Sequence, residues 1–172
     1  MYAKIKCLVI GCLLASVHTM AQMEPAKRIT MDFDTTVKFN ISVATLWNTL
    51  KDPATWAQFS NGYIKSIEVV GDLPKQTRIV HFADGTERKD IVAQYQPEYR
   101  FIVFKIADPL SPAIKDNVFG FTSATEGKGL SSLHMMIKIE GDEKEKSVLL
   151  NALKKEITGY IAGLTKLFPE GP

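Results

Sequence analysis

The chain has 172 residues, of which 45% are hydrophobic, 23% charged and 9% aromatic, and this composition is typical of a globular protein. A chain of this length can bury one core without disulfides or metal ions to hold it together, so we expect a single domain. The formal charge is only +2 and the sequence contains no basic run. Composition therefore argues against a nucleic-acid-binding protein, and against one that binds anionic membrane surfaces.

The start of the chain predicts a secretory signal peptide. Lys4 and Lys6 form a basic start, residues 7–17 form an apolar segment, and a small-x-small sequence ends at Ala21. Since the apolar segment is well short of the roughly 20 residues that span a bilayer, we expect no stable membrane insertion. We expect export to the periplasm or the medium, with cleavage before Gln22.

Both cysteines, Cys7 and Cys12, fall inside this segment. The mature form would then have no disulfide, no thiol nucleophile and no thiolate metal ligand. A lipoprotein signal that ends at Cys12 is the alternative, although Cys12 follows a hydrophobic run of only five residues. Without Lys4 and Lys6 the 19 remaining basic residues equal the 19 acidic ones, so the mature net charge is zero.

We divide the chain into a signal peptide over residues 1–21, a short leader over 22–29 and one domain over 30–172. Hydrophobic alternation predicts a first strand over 30–40, and apolar residues at helical spacing predict two short helices over 42–52 and 53–59. Six further runs between turn residues predict an antiparallel meander of strands. They cover residues 63–70, 77–83, 86–95, 99–107, 114–124 and 130–140.

A long amphipathic helix is predicted from about residue 143 to 168. One stripe of this helix is apolar and includes Leu153, Ile157 and Tyr160. Lysines and glutamates, Glu156 among them, are expected on the opposite, solvated face.

This element order resembles the helix-grip fold of the SRPBCC superfamily, which includes START domains, the birch-pollen-allergen family and bacterial polyketide cyclase/dehydratase-like proteins. The polyketide cyclase-like branch is the most similar. The resemblance covers residue 30 to the C-terminus. The motifs that carry it are Ile41-Ser42-Val43-Ala44-Thr45-Leu46-Trp47, Asp52-Pro53-Ala54-Thr55-Trp56, Thr77-Arg78-Ile79-Val80 with Asp84-Gly85, Asp90-Ile91-Val92 with Tyr95, and Gly163-Leu164.

The resemblance implies an α+β fold in which a curved seven-stranded antiparallel sheet grips the C-terminal helix. It also implies a pocket between sheet and helix for a small hydrophobic molecule or lipid, since concave apolar pockets are the usual sites of such folds. The alternative is a core filled by its own side chains, which would suit an interaction module. The residues expected to line the pocket are Val80, Phe82, Val92, Leu133, Met135, Ile157 and Ile161.

Strand alternation places Arg78 on the same face as Val80 and Phe82. Likewise Asp90 shares a face with Val92, and Arg88 and Gln94 belong to that face as well. We therefore expect Arg78 and Asp90 to point inward. They form either a structural salt bridge at the pocket wall or a polar anchor for a ligand carboxylate or hydroxyl, and the structural interpretation is slightly favoured.

No catalytic, metal or cofactor site is predicted. In the mature chain the histidines are His81 and His134, and alternation places both on outward faces. Neither metal-ligand spacing, nor a nucleophile elbow, nor a phosphate-binding glycine loop is present. We therefore favour a non-catalytic binder or carrier. A cyclase, dehydratase or aromatase that uses Asp90, Arg78 or Tyr95 for proton transfer is the alternative.

Overall fold

The computed structural model describes residues 30–168. The predicted signal peptide and leader, residues 1–29, lie outside the described residues, as do residues 169–172. Within the described range, no helix combines the length and apolarity needed to cross a membrane.

One antiparallel sheet of seven strands, in the order β1-β7-β6-β5-β4-β3-β2, forms the body of the protein. The six strands that follow the short helices pair with their neighbours in sequence, as the predicted hairpins require. The strands are β1 (Phe33–Phe39), β2 (Ile64–Val70), β3 (Thr77–Phe82), β4 (Glu87–Gln96), β5 (Phe101–Asp108), β6 (Ile114–Gly127) and β7 (Leu130–Gly141).

Two short helices connect the opposite edges of the sheet. Helix α1 spans Val43–Leu50, and a 3₁₀ helix spans Pro53–Phe59; a second 3₁₀ turn, Pro97–Tyr99, joins β4 to β5. The side chain of Ser42 accepts a hydrogen bond from the Thr45 backbone amide at 3.1 Å, which satisfies one of the free amides at the start of α1.

The long helix α2 spans Glu143–Leu167 and packs across the inner face of the sheet. Asp142 caps it by accepting hydrogen bonds from the amides of Lys144 and Glu145 at 3.0 and 3.3 Å. The predicted architecture, a curved antiparallel sheet that grips one long C-terminal helix, is confirmed.

Glycines bring α2 unusually close to the 3₁₀ helix. A Cβ atom on Gly163 would lie 2.8 Å from Cα of Phe59 and would overlap the Phe59 carbonyl oxygen. A Cβ atom on Gly159 would lie 2.7 Å from the carbonyl oxygen of Ser60. Side chains at these two positions would therefore push the helix away from the segment that covers the core.

The pairing of β4 with β5 contains a register shift between Val92 and Gln94. The shift corrects one sequence prediction, because Gln94 is exposed on the outer face rather than sharing the inner face with Val92. Tyr95 takes the inward position instead and stacks on Trp47, with ring centroids 6.3 Å apart. An extra residue in a strand reverses the alternation beyond it, and sequence alternation alone cannot show where this happens.

Candidate functional site

Four charged side chains lie in the interior, between the sheet and α2. Arg78 comes from β3, Arg88 and Asp90 from β4, and Glu156 from α2, and their exposures are 0%, 8%, 0% and 1%. We call these four residues the ionic cluster. Strand register explains the sheet half of the cluster, since Arg78 pairs directly with Asp90 and residues two apart share a face.

Asp90 lies between the two arginines. It accepts from Arg78 Nε at 2.9 Å, from Arg88 Nε at 2.8 Å and from Arg88 Nη2 at 3.0 Å. Both carboxylate oxygens are used in these bonds. The predicted inward pairing of Arg78 with Asp90 is therefore present in the structure, with Arg88 as a further partner.

Glu156 joins the cluster from the helix side. It accepts from Arg88 Nη1 at 2.7 Å and from Arg88 Nη2 at 3.0 Å, a bidentate arrangement, and from the hydroxyl of Tyr160 at 2.8 Å. The prediction that Glu156 belongs to a solvated face was wrong. The residue sits three positions after Leu153 and four before Tyr160, both of which are buried, so the spacing itself placed it on the inner stripe.

The electrostatic environment favours the charged forms of Arg88 and Glu156. Burial acts to raise the pKa of Glu156, but the charge and hydrogen bonds of Arg88, with the charge of Arg78, hold it below its ordinary value of 4.5. Burial likewise acts to lower the pKa of Arg88, yet Glu156 and Asp90 outweigh it and the pKa is raised. Burial and the neighbouring Glu156 raise the pKa of the Tyr160 hydroxyl well above 10.0.

These values bear on what the cluster can do chemically. A carboxylate with a lowered pKa that is already bonded to arginine is a weak general base, and a tyrosine with a raised pKa is a weak general acid. The two positive and two negative charges also cancel. The cluster is therefore suited to hold and orient polar groups rather than to transfer protons at neutral pH.

Arg78 differs from the other members because its donors are not all used. Its Nη1 and Nη2 atoms are buried and have no hydrogen-bond partner among the described residues. Nη2 lies 3.7 Å from Glu156 Oε1, an ion pair beyond hydrogen-bond distance. Unpaired buried donors are rare in native structures, so these two atoms are an exception that needs an explanation.

Aromatic rings surround this guanidinium group. Its central carbon lies 4.0 Å from the ring centroid of Phe104, 5.1 Å from Trp56 and 5.3 Å from Phe119. Contact with ring faces engages the flat face of a guanidinium and leaves its N–H edge available. The free N–H groups of Arg78 therefore lie between aromatic rings on one side and the Glu156 carboxylate on the other.

The apolar residues predicted to line a pocket all lie in or against the core. Val80, Leu133, Met135 and Ile157 are buried, while Phe82, Val92 and Ile161 are partly buried. At the centre of the interior the Trp56 ring lies 5.0 Å from both Phe121 and Tyr160, and 5.5 Å from Phe104.

A surface cleft of about 590 Å³ opens between α2 and the start of β2. Tyr63 forms one wall, and its ring meets Phe82 at 5.4 Å between centroids. Phe82 in turn lies 5.2 Å from the guanidinium carbon of Arg88. The rings of Tyr63 and Phe82 therefore lie between this cleft and the ionic cluster. Burial and the nearby charge of Glu156 raise the pKa of the Tyr63 hydroxyl.

The histidines lie away from the cluster. The His81 side chain is 30% exposed and its Nδ1 lies 2.8 Å from Glu87, while His134 is 35% exposed and lies 4.0 Å from Asp34. In the part of the chain that the structure describes, no three His, Cys, Asp or Glu side chains are grouped as metal ligands.

Comparison with known proteins gives structural matches only. No family model matches the chain, and no curated protein matches it. Solved structures with the same arrangement include the protein XoxI from Bacillus cereus, which is 12% identical; the match covers 79% of this chain and 94% of that one, with a TM-score of 0.66.

Two enzymes are also among the matching structures. Norcoclaurine synthase from Thalictrum flavum, solved with dopamine and hydroxybenzaldehyde, is 12% identical over 78% of this chain and 84% of its own, with a TM-score of 0.65. The Zhui aromatase/cyclase from Streptomyces is 12% identical over 78% of this chain and 91% of its own, with a TM-score of 0.63. Likeness at these identities establishes a shared fold.

Proposed function

Because the chain has the helix-grip fold of the SRPBCC superfamily, we propose that it binds a small hydrophobic molecule between the curved sheet and α2. The observation that carries this proposal is Arg78, whose Nη1 and Nη2 donors are buried without a partner among residues 30–168. A core that serves stability alone leaves few such groups unpaired, because each costs free energy. A ligand that supplies an acceptor would remove this cost.

Binding without catalysis fits the cluster better than an enzymatic role. The alternative in which Asp90 transfers a proton is less favoured, because both oxygens of Asp90 already accept hydrogen bonds from arginines at 2.8 to 3.0 Å, which makes the carboxylate a weaker base. The guanidinium of Arg78 offers N–H donors in a fixed plane and no acceptor, so it orients a ligand rather than taking up a proton from it. We therefore propose a carrier or binding protein.

Export is part of the same proposal. The basic, apolar and small-residue segments at the start of the sequence support cleavage before Gln22 and release to the periplasm or the medium. A binder outside the cytoplasm would take up its ligand from the surroundings or from a membrane.

A second candidate is supported by the packing of the aromatic centre. Trp56 meets Phe121 and Tyr160 at 5.0 Å between ring centroids, a separation typical of direct contact. On this alternative the interior is full, and the protein acts as an interaction module whose fold is stabilised by the ionic cluster.

Uptake of the uncharged fluorophore N-phenylnaphthylamine by the purified protein distinguishes the two candidates. A binder should enhance its emission in a saturable manner, and the dye should raise the melting temperature by mass action. Val92→Phe, on the inner face, should abolish uptake while the protein stays folded, because the added ring occupies ligand space.

Ile91→Phe is the matched control, since Ile91 lies on the outer face of the same strand and is 39% exposed. It should leave dye uptake unchanged. If wild type takes up no dye and Val92→Phe lowers stability by overpacking, the interior is full and the interaction module is the correct function. If the dye is taken up, mass spectrometry of an organic extract of the purified protein should identify the natural ligand.

A further inference from the structure

We propose that an apolar groove on the outer face of the sheet binds the chain's own N-terminal segment, residues 22–29. The groove lies on the opposite side of the sheet from α2, so this inference does not depend on the proposed function. It encloses about 650 Å³, and its apolar lining includes Met31, Phe101, Val103, Val118 and Met136. We call it the outer groove.

Neighbouring strands build the floor of the outer groove. In the strand register Met136 of β7 pairs with Gly120 of β6, Gly120 pairs with Val103 of β5, and Val103 pairs with Gln94 of β4. Gly120 adds no side chain to this row, and a Cβ atom there would lie only 2.9 Å from Cα of Val103. The row is therefore low at its centre. An apolar hollow on an outer face is typical of a surface on which another segment packs.

The course of the chain before β1 points to the segment that packs there. Phe33, the first residue of β1, packs against the core, and strict alternation would place Met31 on the same inner face. The chain bends at Asp32, however, and Met31 lines the outer groove instead. The Asp32 carboxylate holds this bend, because it accepts from the Ile139 amide at 2.7 Å and pairs with Lys146 at 2.7 Å. The chain therefore approaches β1 from the side of the outer groove.

The length and composition of the segment fit the groove. From β7 to β4 the groove crosses three strand spacings, about 14 Å, whereas eight extended residues reach about 26 Å. Residues 22–29 are eight in number, and the apolar ones are Met23, Pro25, Ala26 and Ile29. The segment can therefore cross the whole groove and cover its apolar floor.

Charge complementarity favours this segment over a second copy of the chain. Among residues 30–168 the rim residue Glu140 is in no salt bridge, whereas acidic neighbours hold the rim residues Lys105 and Lys138 at 2.7 and 3.6 Å. Lys27 and Arg28 come shortly before the groove along the chain and can supply the missing positive charge. A second copy would present another Glu140 to the same rim rather than a free cation.

Methionine oxidation by hydrogen peroxide, followed by mass spectrometry, measures whether the outer groove is covered. Met136 lines the groove, while its neighbour Met135 is 4% exposed and on the inner face, where it serves as an internal control. In the purified protein Ile29→Asp should release the segment, because it puts a charge into an apolar contact. Oxidation of Met136 should then become severalfold faster, with Met135 unchanged. Val148→Asp, at a position of α2 that is 62% exposed, is the matched control and should leave both rates as in wild type.

Two results would overturn the inference. Equal rates of Met136 oxidation in wild type and Ile29→Asp would show that the segment does not cover the groove. Protection of Met136 that is lost when wild type is diluted would show that a second copy covers it instead. Dye uptake in the interior is measured separately, so this inference and the proposed function can fail independently.

A charge exchange tests the same contact if Ile29→Asp opens the whole protein, which faster oxidation of Met135 would reveal. Lys27→Glu combined with Arg28→Glu should lower the melting temperature by about 1 to 3 °C, the effect of an exposed ion pair in a domain of this size. Glu140→Lys should do the same. All three substitutions together should recover part of the loss, because the opposite charges face each other again. Losses that simply add would show that the segment and the rim are not in contact, and the inference would be wrong.

Discussion

Arg88 and Glu156 form a bidentate ion pair that joins strand β4 to helix α2, with bonds of 2.7 and 3.0 Å between residues that lie 68 positions apart in the sequence. The pair is buried on both sides and holds the middle of the helix against the sheet. The ion pair therefore attaches α2 to the sheet alongside the buried apolar residues Leu153, Ile157 and Leu164.

Glu156→Gln should lower the free energy of unfolding by about 3 to 5 kcal/mol. The substitution leaves the two arginines of the cluster with a single buried carboxylate, and removing one partner of a buried ion pair has effects of this size. Urea denaturation measures the change. Glu143→Gln, on the exposed first turn of the same helix, is the control and should change stability by less than about 0.5 kcal/mol. Equal effects of the two variants would show that the cluster does not stabilise the fold.

Stability should fall as pH drops below the ordinary pKa of glutamate. The folded protein holds the pKa of Glu156 below 4.5, so the carboxylate binds protons less readily in the folded than in the unfolded state. This contribution is fully present above pH 4.5 and is lost as the pH falls through the lower folded value. Urea titrations between neutral and acid pH should therefore show a steeper acid decline for wild type than for Glu156→Gln. If the free energy of unfolding falls equally with decreasing pH in both proteins, the pKa of Glu156 is not lowered by folding.

Gly163→Ala should destabilise the protein by about 1 to 3 kcal/mol, because the added methyl group meets the backbone of Phe59. The direction of the change in stability is informative, because an alanine in place of glycine inside an unobstructed helix stabilises the protein by about 1 kcal/mol. Thermal or urea denaturation measures the difference. Ser147→Ala, at an exposed position of α2, is the control and should be neutral or slightly stabilising. A stabilised Gly163→Ala would mean that α2 and the 3₁₀ helix are not in close contact.

Leu153→Ala should cost about 2 to 5 kcal/mol, because Leu153 is 1% exposed and the substitution leaves a cavity between α2 and the sheet. The exposed neighbour Lys155 serves as the control, and Lys155→Ala should be nearly silent. Lys154 is a less suitable control than its sequence position suggests, because its ammonium group lies 5.1 Å from the ring centroid of Phe33. Similar losses at Leu153 and Lys155 would refute the assignment of helix faces.

The exported protein should begin at Gln22, or at its cyclised form, if the signal peptide is cleaved as the sequence predicts. Mass spectrometry of the N-terminal peptide from material secreted by the native host tests this. An intact Met1 on that material would contradict export with processing. A lipid-modified Cys12 would establish the lipoprotein alternative.

The sequence predicted the order of elements because its signals are local. Turn residues such as Asp84-Gly85 separate the strands, and alternation identified the inner faces of β3 and of the first part of β4 correctly. Arg78 and Asp90 were placed inward by the same argument. Predictions of this kind depend only on neighbours along the chain, which is why they hold.

The rest of the cluster was missed for physical reasons that differ between residues. Glu156 was assigned to solvent because glutamates near lysines usually line an exposed helix face, yet its partner Arg88 comes from a distant strand. Arg88 was placed on the face of Asp90 but was not identified as a partner. Its bonds to Glu156 depend on how α2 crosses the sheet. Gln94 was misplaced by a register shift that no local pattern reveals.

The position of β1 has a consequence for how the chain folds. Phe33 pairs with Ile137 and Phe39 with Ser131, so β1 finds its partner only about 100 residues later in the sequence. During synthesis the hairpins from β2 to β6 can form one after another, whereas the β1 edge stays open until β7 has left the ribosome. The sheet can therefore be completed only after β7 is available, and the speed of folding should be limited by this one long-range closure. A chain that stops before Leu130 would leave both β1 and β6 with unpaired edges, a state prone to aggregation.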